Sequence, residues 1–108
     1  MHALVQGLNQ GVRETVQDID AAIAALVRAA PTIDPVVQRR RLLGTLASEM
    51  AHPEGARIGI GDVDDIRLQR GVAQLARSCG WPGAPTAAEL FTRAFLPPLH
   101  ERVRSLAP

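Results

Sequence analysis

Lysine is absent: all 12 basic residues of this 108-residue chain are arginine. Tyrosine is absent as well, and two Phe and one Trp bring the aromatic content to only 3%. Binding of single-stranded nucleic acid by base stacking on aromatic platforms therefore has little to draw on. The formal net charge is +1, which sets up no broad field toward nucleic acid or a membrane surface. The exclusive use of arginine fits a G+C-rich gene better than a selected phosphate-binding role. Cys79 is the only cysteine, so no intramolecular disulfide forms and no zinc site draws on paired thiolates. No stretch approaches the roughly 20 apolar residues of a membrane span. The opening MHALVQGLNQGV has neither the basic leader nor the apolar run of a secretory signal, so the product as written is expected to stay in the cytosol.

What is present is a chain built to pack, with 46% hydrophobic residues arranged at helical spacing. Leu4, Leu8, Val12, Ile19, Ile23 and Leu26 recur at intervals of three, four and seven, which is one helix face. Asp18 and Asp20 interrupt this run, and a short carboxylate there caps a new helix by accepting first-turn N–H groups. Two helices meeting near Gln17 to Asp20, or one bent there, are expected. Pro31 and Pro35 stop the second. A further helix is expected over about Val36 to Ala51, with Leu42, Leu43, Leu46 and Met50 inward and Pro53 and Gly55 ending it. Another carries the stripe Leu68, Val72, Leu75, Ala76 and Cys79 and closes at Gly80. Thr86 and Glu89 form a T-x-x-E capping box for a short helix through Leu90, Phe91, Ala94 and Phe95, terminated by Pro97 and Pro98. No segment alternates as a strand for longer than IGIGDV, which is too glycine-rich to count. The fold class is all-α, with about five helices.

The stretch 59-GIGDVDDIRLQRGVAQLARSCG-80 sets two glycines and three aspartates before an apolar stripe. An EF-hand loop counted from Asp62 needs a carboxylate at the fifth residue, a glycine at the sixth and a bidentate Glu at the twelfth. The residues there are Ile66, Arg67 and Ala73. A phosphate cradle needs Gly followed by Lys-Ser/Thr, and three carboxylates repel phosphate. The stretch reads instead as a helix entrance, with Asp62 or Asp64 as the cap and the acids opposing the positive helix end. Asp62, Asp64 and Asp65 are expected to bind no metal.

Other chemistry-bearing residues read as structural. Arg39, Arg40 and Arg41 fan over about 200° of a helix surface, so at least one lies beside the apolar face and the run is a solvated helix side. His2, His52 and His100 have no ligand spacing, and no nucleophile elbow accompanies them. Cys79 falls on the apolar stripe as a small core residue, and Trp81 is expected to pack back onto the preceding helix. No catalytic group, cofactor or ligand residue stands out.

The order of the pieces carries more than any one of them. The helix 20-DAAIAAL-26, the stretch Gly59 to Leu68 and the stretch Phe91 to Pro97 stand in one register. Together they resemble the C-terminal part of periplasmic substrate-binding proteins of the nitrate/sulfonate/taurine ABC-transporter group. The same superfamily includes the thiamine pyrimidine synthase-like proteins. Members carry a "fvrAlnrGw…DPdaAI" helix, a "G(I/L)GxVDxxRL" helix entrance and a closing "vFdxsFLP". This chain departs at Val12, where Trp is common, and at Ile19, where Pro is common; neither change breaks the helix reading. The similarity spans nearly all of residues 1–108, but only the last third or so of such a protein.

The resemblance implies a helical segment, 1–108, that is part of a larger substrate-binding domain. It implies capture of a small anionic or heterocyclic solute for an ABC permease, in the periplasm and without catalysis. Ligand contacts in that family come largely from the earlier part of the chain, so no ligand-binding residue is transferred. The alternative is a free-standing helical module that dimerises or binds a protein partner. A nucleic-acid-binding bundle using Arg39 to Arg41 is the weaker third reading. In isolation, the apolar faces at Leu4, Leu8 and Val12 and at Phe91, Phe95 and Leu96 are expected to pair in a homo-oligomer.

Overall fold

The N-terminal apolar run breaks at Asp18. In the computed structural model, which describes residues 1–108, α1 spans His2–Gln17 and α2 spans Ile19–Ala29. Asp18 leaves the helical region (φ −147°, ψ 88°), and its carboxylate accepts the N–H of Ala21 at 2.9 Å. That bond satisfies a donor the new first turn would otherwise leave open. Asp34 does the same for α3 (Pro35–Gly44), taking the N–H groups of Val36 and Val37 while Pro35 supplies a fixed φ at the first helical position. The helix then widens into a π-helical stretch, Thr45–Met50.

Ala51 and His52 are extended, and the chain restarts as α4, Pro53–Ile58. This helix was not expected from the sequence. Pro53 and Gly55 stand inside it, because Pro53 occupies the first helical position and the His52 imidazole Nδ1 accepts the N–H of Glu54. Asp64 caps α5 (Asp65–Cys79) through the N–H of Arg67. Gly80 closes it in the left-handed region (φ 67°), with Trp81 N–H bonded to Ala76 O and Gly80 N–H to Arg77 O. That is the Schellman pattern, which favours glycine because it lacks a Cβ. The Thr86/Glu89 capping box forms as expected and opens α6, but α6 covers only Ala87–Leu90. Phe91 is already extended (φ −138°, ψ 133°), so the expected helix through Phe95 does not form. A 3-10 turn at Leu99–Glu101 follows the two prolines. The architecture is all-α, six helices and no strand.

Burial is sparse. Seven of 108 residues are buried, and the one apolar cluster is Ile19, Ile23 and Leu46, flanked by Val16, Val27, Leu42, Leu43 and Leu106. It joins α1, α2 and α3. The α5 stripe is only partly covered: Ala76 is buried, Leu68 and Val72 are half-buried, and Leu75 is exposed. Cys79, expected in the core, is exposed, since it ends the helix where nothing packs over it. Trp81 contributes its backbone to the helix cap, and the residue as a whole is half-exposed.

The molecule is drawn out to 51 × 30 × 25 Å, with a radius of gyration of 17.2 Å. A compact chain of this length has a radius of about 13 Å. Its accessible surface is 7504 Å², against about 5,800 Å² for a compact monomer of 11.6 kDa. The difference, roughly 1,700 Å², is surface that the chain does not cover itself.

Candidate functional site

The glycine–aspartate loop folds into an electrostatic lock. Asp62 lies at its centre, its side chain only 6% exposed. One carboxylate oxygen accepts Arg93 Nε at 2.8 Å and the N–H of Val63 at 2.7 Å; the other accepts Arg102 Nη1 at 2.7 Å. Arg93 also donates to Val63 O at 2.7 Å and to Asp65 at 2.9 Å, and its guanidinium lies 5.4 Å from the Phe91 ring centre. Arg102 donates to Pro97 O at 2.8 Å and Ile58 O at 3.0 Å. The hydrogen bond to Asp65, reinforced by the Asp62 charge, holds the Arg93 guanidinium protonated above its ordinary range, against the opposing effect of desolvation. The pull of Arg93 on this loop accounts for the extended backbone after Leu90, where helix periodicity pointed otherwise.

Of the three aspartates, Asp64 alone caps the helix. The N–H of Arg67, and then the Arg57 guanidinium at 2.7 Å, hold its carboxyl below the ordinary value of 3.8. Asp62 is a buried partner of two arginines rather than a cap, and Asp65 stands in the first turn of α5 facing Arg93. Gly59 and Gly61 supply positive φ (77° and 89°). Gly59 also admits Arg102, whose Cβ would lie 2.6 Å from any Cβ placed there. The carboxylate oxygens a cation would need are already held by arginine and backbone N–H groups.

Beside the lock runs an open apolar groove of about 980 Å³. Leu46, Met50, Val72, Leu75, Val103 and Leu106 face it, and His52, Glu54 and Arg67 stand at its polar end. Arg67 Nη1 lies 3.1 Å from Glu54 and 2.8 Å from His52 Nε2. A donor there requires the proton on Nδ1, whereas capping of Glu54 N–H requires a bare Nδ1, so one tautomer serves only one of the two contacts. A second groove, about 360 Å³, lies between α1 and the segment after α6, against Val5, Leu8, Val12, Phe91, Phe95 and Leu96. The two apolar stretches expected to be unpartnered, more than 75 residues apart in sequence, thus form one face, from which Leu4 and Leu8 project at 60% and 63% exposure.

The remaining candidates stay apart. Arg39, Arg40 and Arg41 are all exposed, and Arg39 pairs with Asp20 at 3.0 Å. Arg39 lies beside the apolar face as expected, one turn before Leu42 and Leu43, which meet α2, and its partner Asp20 is on that same α2. His2 and His100 meet neither His52 nor each other in any hydrogen bond, and no group of three metal-ligating side chains exists. Arg93 and Arg102 are what sequence reasoning missed. Isolated arginines near prolines carry no periodic signal, and only the acid-rich loop hinted that cations must arrive from elsewhere. No protein-family model, curated protein or solved structure matches the chain. No helix is long and apolar enough to cross a membrane.

Proposed function

We propose that this chain is the C-terminal helical cover of a two-lobed solute-binding protein of the nitrate/sulfonate/taurine type, a non-catalytic element that packs on a ligand-holding lobe and stiffens it. The whole protein captures a small anionic or heterocyclic solute for an ABC permease, and the solute contacts come from outside residues 1–108. Two observations support this reading: the excess of roughly 1,700 Å² of surface over a compact chain, and the single apolar face formed by α1 and Phe91–Leu96, from which Leu4, Leu8 and Phe95 stay exposed. Helices that evolved to cover a sheet carry such a face and leave it bare when the sheet is absent. The register of the helix entrance Gly59–Leu68 and the closing Phe91–Pro97 supports the family reading, and the bare face supports the role.

An antibody against residues 59–80 tests the reading in the producing cell. The expected result is a polypeptide several times larger than 11.6 kDa, released with the periplasmic fraction. A band at 11.6 kDa alone, in the cytosol, would overturn it. That outcome favours the second reading, a free-standing module whose apolar face pairs with another copy. Such a pairing is plausible on area, since a standard interface removes about 800 Å² per partner.

A further inference from the structure

The first half of the molecule, residues 1–50, and the second, 51–108, are joined by a covalent link, by the apolar groove that Val5, Leu8 and Val12 share with Phe91, Phe95 and Leu96, and by one short polar segment. Every hydrogen bond between them runs through residues 101–103. Glu101 O accepts Asn9 Nδ2 at 3.0 Å and also a guanidinium N–H of Arg13, and Val103 N–H donates to Asn9 Oδ1 at 3.3 Å. No ion pair crosses, since each one lies within a single half. The Ile19–Ile23–Leu46 cluster takes one residue from the second half, Leu106. The same segment is fastened on its other side by Arg102 to Asp62, Ile58 O and Pro97 O, and by Ile60 N–H to Val103 O at 2.8 Å. The covalent link itself is Ala51–His52, two extended residues between helices (ψ 124° and 143°). A two-residue extended joint of this kind absorbs rotation without breaking a helical hydrogen bond.

We infer that residues 99–106 are a latch that fixes the angle between the two helical halves, so that its release lets them rotate about Ala51–His52 and opens the large apolar groove. The groove has its walls on opposite halves: Leu46 and Met50 on one, Val72 and Leu75 on the other, with Val103 and Leu106 of the latch along it. Its width is therefore set by the latch and not by direct helix packing. Rotation about the joint also parts Val5, Leu8 and Val12 from Phe91, Phe95 and Leu96, which line the second groove from opposite halves.

The test uses spin labels on Cys79, already exposed, and on Ala24→Cys, at an exposed position of α2, with singly labelled protein to subtract intermolecular signal. Pulsed dipolar spectroscopy of the full chain is expected to give one narrow distance distribution. Two perturbations detach opposite ends of the latch: Arg102→Ala frees it from the second half, and Asn9→Ala with Arg13→Ala frees it from the first. Both are expected to broaden the distribution and abolish its single maximum while helical circular dichroism is retained. The Asn9/Arg13 substitutions are alanines in the middle of a helix, so α1 persists. Arg93→Ala, which cuts a different contact to Asp62, leaves the distribution narrow. An unchanged distribution in the Asn9/Arg13 variant would overturn the latch, as would broadening by Arg93→Ala equal to that by Arg102→Ala.

Discussion

Replacing Asp62 with alanine isolates what the electrostatic lock contributes. Arg102 is 12% exposed and its guanidinium lies 2.7 Å from the carboxylate, so the substitution leaves a largely buried cation without its counter-charge. Breaking a buried pair in this way costs about 3–5 kcal/mol. Arg102 keeps Ile58 O and Pro97 O as acceptors, which brings the expected loss to about 2–3 kcal/mol. With a urea slope of about 1.5 kcal/mol per molar, the midpoint falls by roughly 1.3–2 M, read by far-ultraviolet circular dichroism. Protein concentration is held fixed, because association adds to apparent stability. Asp65→Ala is the internal comparison: its side chain is 61% exposed and shares the same Arg93, so its loss stays within about 1 kcal/mol. Equal midpoints for the two variants would refute the burial reasoning, since both carboxylates pair with Arg93 but only Asp62 is buried and also holds Arg102.

Asp64 makes stability depend on pH. Its folded-state carboxyl titrates below 3.8, so the stabilisation is present above that value and is lost as pH falls through the folded-state pKa. Stability of the wild type minus that of Asp64→Asn should therefore fall on acidification below about pH 4, and a flat difference would contradict the assignment. Titration calorimetry with calcium, magnesium and zinc is expected to give no saturable heat, because the Asp62 and Asp64 oxygens are occupied; micromolar binding abolished by Asp64→Ala would show otherwise. Any nucleic-acid binding through Arg39, Arg40 and Arg41 should vanish steeply with salt, and sub-micromolar affinity for one sequence at about 200 mM salt would count against that.

Local rules carried the sequence far and then stopped. Asp18, Asp64, Gly80 and the Thr86/Glu89 box act through neighbours within a few residues, so their helix boundaries are visible in the order of residues alone. The α4 helix escaped because Pro53 and Gly55 read as breakers, although proline at a first helical position begins a helix. Phe91 to Leu96 escaped for the opposite reason: the periodicity is helical, but Arg93 is drawn about 30 residues back along the chain to Asp62. Long-range ion pairs of this kind leave no local pattern. The same holds for the segment 99–106, whose partners are Asn9, Arg13, Ile60 and Asp62. Cys79 marks a further limit, since periodicity identifies an apolar stripe but does not say whether anything covers it.

Whether the chain covers its own apolar surface is decided most directly by sedimentation equilibrium over a wide concentration range, with Leu8→Gln beside the wild type. Leu8 is 63% exposed on the α1 face, so the glutamine leaves the fold intact while removing apolar surface from that face. The account predicts a reversible dimer or larger species for the wild type and a shift toward 11.6 kDa for Leu8→Gln. A wild type that sediments at 11.6 kDa at every concentration and unfolds in one cooperative thermal transition would show that the chain completes its own core, and would contradict the proposed role as a cover for another surface.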